Sequence, residues 1–271
     1  MTIHIITLFP ELTDAYFSSG ILARARAQGK LLVMSWQLRD FATDKHHTVD
    51  DYPYGGGAGI ILKPDVMARA IEGVKKNVAA ARRKSVPVVF TTPHGRKFDS
   101  SVAREYSAHK EWIVVCGHYG GVDRRVIDAY ATDEVSIGDY VLMGGELAAM
   151  VMIESASRFI PDVLGNLESA DRDTFEDTLL GPPVYTRPAV FNKAEVPPVL
   201  VSGNHLGIAR WRRERQLETT FERRPDLLET ARLTDDDIRF LRSIGYKQEE
   251  VKNTQAAGKT VKKVRSKKAE R

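Results

Sequence analysis

Four glycine-rich segments carry the residue types best suited to holding a ligand against main chain. They are Tyr54-Gly55-Gly56-Gly57-Ala58-Gly59, Thr91-Thr92-Pro93-His94-Gly95, Gly117-His118-Tyr119-Gly120-Gly121-Val122-Asp123, and Ser136-Ile137-Gly138-Asp139-Tyr140-Val141-Leu142-Met143-Gly144-Gly145-Glu146. Glycine lets the backbone turn with positive φ and approach a ligand closely. One such loop alone is more often a plain turn. The last three each follow a candidate strand, which favours a shared pocket, because ligands of open α/β sheets sit beyond the carboxyl ends of strands. These loops carry few charges, so their amides and carbonyls suit adenosine and a methionine moiety better than a triphosphate. Neither a strand followed by G-x-G-x-x-G nor a phosphate-loop lysine is present, which excludes the common dinucleotide and P-loop sites.

Other chemistry is thinner. His46, His47, His94 and His118 lack the spacing of a helical zinc pair, so no protein-held metal is expected. Cys116 is the sole cysteine, so no intramolecular disulfide can form, and a reducing cytoplasmic compartment fits. Arg158 follows a helical run, and Asp171 and Asp173 follow in a polar stretch. By residue type alone, Arg158 can cap helix carbonyls or pair with Glu154, and an Asp in a polar stretch is most often solvated.

The elements that must position these loops read from periodicity. Apolar runs over 3–9, 31–37, 86–91, 112–116 and 135–137 predict strands. Helices are predicted over 11–27, 65–81, 100–108, 123–131 and 146–159, with Asp99 placed to cap the third. Residues 40–59 read as a loop. This alternation predicts an α/β domain with an open, mostly parallel sheet. Composition shifts after Pro161: 162–174 is a polar linker, 182–198 is proline-rich, and helical patterns follow over 205–221, 225–231 and 235–244. The expected organisation is a ligand-binding domain over 1–161, a linker over 162–174, a small, mainly helical domain over 175–248, and a basic, disordered tail over 249–271.

The chain has 271 residues, 42% of them hydrophobic, and a net charge of +4, so a substantial core is expected and wholesale disorder is not. The start lacks the basic and long apolar run of a signal peptide, and no run approaches the roughly 18 apolar residues of a membrane span. A soluble cytoplasmic protein is expected.

Longer motifs are more specific. Ser136-Ile137-Gly138-Asp139-Tyr140-Val141-Leu142 with Gly144-Gly145-Glu146-Leu147 resembles the signature of the bacterial tRNA (guanine-N1)-methyltransferases, the TrmD family. So do Ser157-Arg158-Phe159-Ile160-Pro161 with Val163-Leu164-Gly165, Tyr185-Thr186-Arg187-Pro188, and Val196-Pro197-Pro198-Val199-Leu200. Ser202-Gly203-Asn204-His205 and Arg223-Arg224-Pro225-Asp226-Leu227-Leu228 continue the match, which runs from the first strand to about Lys247.

The resemblance implies a SPOUT-class domain with a trefoil knot, which patterning would never suggest. It implies a homodimer with the active site at the subunit interface, and methyl transfer from S-adenosylmethionine to N1 of guanosine 37 in tRNA. The methyl donor would lie among Thr92, Pro93, Gly95, Gly117, Tyr119, Ile137, Gly138, Tyr140, Val141, Leu142, Gly144 and Gly145. Asp173 would be the general base, with Asp171 a nearby rival, and Arg158 would stabilise charge on O6. Magnesium could support activity without a dedicated protein cage.

For tRNA contact the candidates are Gly59, Arg210, Arg212, Arg213 and Arg215, with Trp211 either stacking or packed in the core. Three departures stand out. The family usually has Arg-Tyr-Glu-Gly where this chain has His118-Tyr119-Gly120-Gly121, so a carboxylate is missing at Gly120, and Arg124 also replaces an acid. Tyr52 replaces a usual arginine. A catalytically weakened, RNA-binding relative of the same fold is therefore the alternative reading; a nucleotide hydrolase is disfavoured by the missing phosphate-loop lysine.

Overall fold

The computed structural model describes residues 1–56, 59–164, 174–175 and 177–247. Asp171, Asp173, most of the expected linker and the expected basic tail over 249–271 lie outside the described residues. The chain divides into two compact units, Met1–Glu176 and Asp177–Arg271.

The first unit is built on a five-stranded sheet of β1 (Thr2–Thr7), β2 (Leu32–Gln37), β5 (Val88–Lys97), β6 (Glu111–Cys116) and β7 (Asp133–Ser136). Their order is β2-β1-β6-β5-β7, and every adjacent pair is parallel. A short antiparallel pair, β3 (Asp50–Asp51) and β4 (Ile61–Leu62), stands apart.

Both sheet faces are covered, as parallel strands require. On β1, Ile3 and Ile5 join one buried cluster while Ile6 joins the other. On β6, Trp112, Val114 and Cys116 face the first cluster and Ile113 and Val115 the second. The first cluster takes in residues of α1 (Pro10–Phe17), α2 (Gly20–Ala27), α4 (Ser100–Ser107) and α6 (Glu146–Ser157). The second takes in α3 (Pro64–Asn77) and α5 (Arg124–Tyr130). Each fully buried Val, Leu, Ile or Phe side chain contributes about 1.5–3 kcal/mol.

Several expectations need correction. The single helix predicted over 11–27 is two, broken where Ser19 is extended and Gly20, which opens α2, takes φ +59°. Pro10 opens α1 rather than merely ending a strand, since its missing N–H costs nothing at a first helical turn. The strand predicted to stop at Thr91 runs on to Lys97, with its register on β7 shifting between Thr91 and Arg96. The loop expected over 40–59 contains a short 3-10 turn, Leu38–Phe41, and β3. Val163, placed by composition in the linker, is buried in the first cluster. Asp99 does cap α4, its carboxylate accepting from the Val102 amide at 3.0 Å.

In the second unit, Leu179, Leu217, Leu228 and Leu241 form a small core. Helices span His205–Arg223 and Asp235–Ser243. The segment predicted as helical over 225–231 is a 3-10 turn, Pro225–Glu229. The proline-rich stretch contains a two-stranded hairpin, Val190–Phe191 with Ala194–Glu195. Among the described residues no helix is long and apolar enough to cross a membrane.

Candidate active site

Toward the carboxyl side of the sheet, Thr91 within β5 and the segments that follow β6 and β7 converge at the start of α6. The Gly145 amide donates to the Gly117 carbonyl at 2.8 Å, and His118 and Gly144 form an antiparallel bridge. A Cβ on Gly145 would stand 2.0 Å from Thr91 Oγ1 and 2.9 Å from Cys116 Cα, so only glycine lets these segments close together. Ile137 and Gly138 continue directly from β7. This brings Thr91, Gly117, Gly144 and Gly145 onto one seam, while the segment predicted as a second glycine loop, Thr91–Gly95, is part of β5.

The seam is poor in charge. Among the described residues its one buried carboxylate is Glu146, the first residue of α6, which accepts from Thr7 Oγ1 at 2.8 Å. Burial, and after it the negative charge of Glu146, push the Cys116 thiol well up, so Cys116 is a packed thiol. His118 lies between Phe9 and Tyr119, with ring centroids at 5.3 and 4.8 Å, and its buried Nδ1 has no hydrogen-bond partner among the described residues. Sequence reading missed Thr7 and the burial of Glu146; no spacing rule pairs two residues 139 positions apart.

The other predicted ligand residues lie at the rim. Thr92 is half-buried and Pro93 exposed. Gly95 packs against the Val135 backbone. Tyr119, Tyr140, Val141 and Leu142 are exposed, as is Met143. Beside them an apolar cavity of about 570 Å³ is lined by residues including Leu12, Tyr16, Ile137, Tyr140, Leu142, Leu147 and Val151. Arg158 ends α6 and lines a second cavity, of about 370 Å³, with Phe98, Asp99, Ile137, Ser155 and Phe175 among its walls. Ile137 belongs to both.

Gly120 is packed for a glycine. Its amide donates to the Ile60 carbonyl at 2.8 Å, and a Cβ there would stand 2.9 Å from that oxygen. The Leu62 amide in turn donates to the Gly121 carbonyl at 2.9 Å. The missing acid is thus accompanied by a loop zipped onto β4. Arg124, a second departure, pairs with Asp128 and Glu134 on the surface.

The basic residues of His205–Arg223 divide into two sets. Arg213 is held by Asp237 at 2.9 and 3.0 Å and by Asp177 at 2.6 Å. Hydrogen bonding to Asp237 leads the effects that raise its pKa. Arg215 pairs with Glu218, and its Nε is buried without a partner. Arg210 is exposed and pairs with Glu214 at 2.8 Å. Arg212 is exposed and forms no ion pair among the described residues. Trp211 is half-buried and tilts against Tyr185, centroids 6.2 Å apart. Gly59 is exposed at φ +105°.

Fold and geometry together define a parallel α/β protein with a glycine-lined seam on the carboxyl side of its sheet, the side on which open α/β sheets bind ligands. The chain belongs to the family described as tRNA (Guanine-1)-methyltransferase TrmD, whose model matches residues 1–230. It is 50% identical to a tRNA (guanine-N(1)-)-methyltransferase of Geobacter metallireducens over 241 residues, 89% of this chain and 96% of the relative. A protein of the same name from Exiguobacterium sp. is 49% identical, covering 90% and 99%. One from Dehalococcoides mccartyi strain 195 is 48% identical, covering 90% and 97%. The family's methyl donor is S-adenosylmethionine.

Proposed function

We propose that this protein methylates N1 of guanosine 37 in tRNA, in the cytoplasm, as a homodimer with its active site at the subunit interface and a trefoil knot in its first unit. The observation that carries the reading is the glycine seam at Gly117, Gly144 and Gly145, closed over Thr91 and bordered by the Arg158 cavity.

The residues present fit S-adenosylmethionine. The seat is cut for main chain at Gly145, its flanks are apolar, and His118 Nδ1 is a buried polar atom without a bond. The candidates for contact are Thr92, Pro93, Gly95, Gly117, Tyr119, Ile137, Gly138, Tyr140, Val141, Leu142, Gly144 and Gly145. When bound, the donor supplies an electrophilic methyl group. Guanine N1 carries a proton at neutral pH, so a base must take it while the new N–C bond forms. Asp173 takes that proton, and Arg158 donates to O6 as negative charge gathers there. An ordinary Asp is too acidic for this task, so Asp173 acts only once water is excluded around it. Magnesium has at most a supporting role.

The homodimer is supported by exposed apolar surface: Val141 and Met143 are 83% and 91% exposed, beside Leu12, Tyr16, Leu147 and Val151. For tRNA, Arg210 and Arg212 are the outward cations, with Gly59 in the first glycine loop; Arg213 and Arg215 brace the helix and act on RNA indirectly. The carboxylate lost at Gly120 favours weaker donor binding over loss of activity.

Labelled S-adenosylmethionine and tRNA with guanosines at positions 36 and 37 test the reading. Label should enter that tRNA, and Asp173→Ala should bind the donor yet transfer nothing. Arg158→Ala should lose turnover with tRNA affinity kept. RNA binding without label from the wild type would support the weakened relative and end this proposal. Arg212→Ala should lower the slope of log affinity against log salt by about 1, as loss of one phosphate contact does.

A further inference from the structure

Glu146 is a buried carboxylate without a cation. Its side chain is 4% exposed, its bond is to a neutral hydroxyl, that of Thr7, and it enters no ion pair among the described residues. Taking a charge out of water without an opposite charge is costly, and the cost falls when a cation arrives. The α6 N-terminus meets only part of it, since a helix end acts as roughly half a positive charge. Glu146 Oε2 lies 2.3 Å from where a Gly144 side chain would begin, and His118 Cδ2 lies 2.6 Å from the same point. The carboxylate therefore backs directly onto the glycine seam.

We propose that Glu146 is a charge-selective residue of the donor seat: its field favours the positive sulfonium of S-adenosylmethionine over the neutral thioether of S-adenosylhomocysteine. The inference rests on the reading of the seam as the donor site. Methyl transfer removes the sulfonium's positive charge, so the same carboxylate that helps the donor bind ceases to hold the product. Because the carboxylate acts from behind the main chain, it selects by charge and leaves shape recognition to the loops.

Calorimetric titration with each ligand separates a charge role from a brace. Glu146→Gln keeps an oxygen to accept from Thr7 but removes the charge. It should weaken S-adenosylmethionine about tenfold and S-adenosylhomocysteine by less than about threefold, a modest effect because an effective dielectric of about 20 screens one unit charge. Thr7→Val removes the hydrogen bond and keeps the charge, so it should preserve the preference. Equal weakening of both ligands in Glu146→Gln, no change in either, or loss of the preference in Thr7→Val would each overturn the proposal. A wild-type protein that binds neither ligand would overturn the donor-site reading with it; a wild type that binds both, with Glu146→Gln unchanged, would overturn this proposal alone.

Discussion

The two ends of the parallel sheet treat buried charge in opposite ways. At the amino end, Glu111 accepts from His4 Nε2 at 3.0 Å and from Arg82 Nε and Nη2 at 2.9 and 2.7 Å. The Trp36 indole donates to His4 Nδ1 at 3.2 Å. An indole N–H can only donate, so Nδ1 must accept and Nε2 must carry the proton given to Glu111. At the start of β7, the half-buried Asp133 is held by Arg96 and by the Tyr106 hydroxyl. At the carboxyl end, among the described residues, Glu146 has only a hydroxyl as side-chain partner and His118 Nδ1 has no hydrogen bond. Polar groups answered within the chain build stability, whereas those left over are available to a ligand.

Four outcomes would break or sharpen that contrast, starting with the largest effect. Glu111→Ala strips the partner from a buried His4 and from Arg82, and should cost about 3 kcal/mol in urea unfolding, the low end for breaking a buried pair because Arg82 is partly exposed. A loss near zero would make the amino end no more a stability device than the surface. Gly145→Ala pushes a methyl group into Thr91 Oγ1, and should weaken S-adenosylmethionine about thirtyfold, the scale of overpacking strain of ~2 kcal/mol. Unchanged affinity would remove the seam from the binding site.

The third outcome concerns acid. Burial alone would raise the Glu111 carboxyl, but hydrogen bonds from His4 and Arg82 outweigh it and hold the group below its usual 4.5. A depressed carboxylate stabilises fully above its unfolded pKa and loses that contribution as pH falls through the folded value. The stability gap between wild type and Glu111→Gln should therefore hold above about pH 4.5 and narrow below it. A gap that widens in acid would reverse the assigned sign. The smallest effect is Trp36→Phe, which leaves His4 Nδ1 buried and unbonded and should cost about 1 kcal/mol. Unfolding curves matching those of the wild type would show that His4 needs no second partner.

Much of the fold was legible because periodicity reports burial directly. The strands of the sheet and helices α3 to α6 follow the apolar pattern, and Asp99 announces α4. Gly20 was misread because an isolated glycine in a helical pattern is often tolerated, and only its positive φ shows the break. Val163 was misread because the 162–174 stretch is polar on the whole while Val163 itself is buried in the first core cluster. Arg213 looked like an RNA-facing cation because Asp177 and Asp237 lie 36 and 24 positions away.

The sequence by itself determined the family, the parallel α/β architecture and the glycine segments, since motifs and periodicity are local properties of the chain. Tertiary structure decided which polar groups are answered and which are not. Whether Glu111 meets His4 across 107 positions, or Glu146 meets only Thr7, depends on strands brought side by side. The energy of a buried charge is set by those neighbours in space, and spacing along the chain does not encode them.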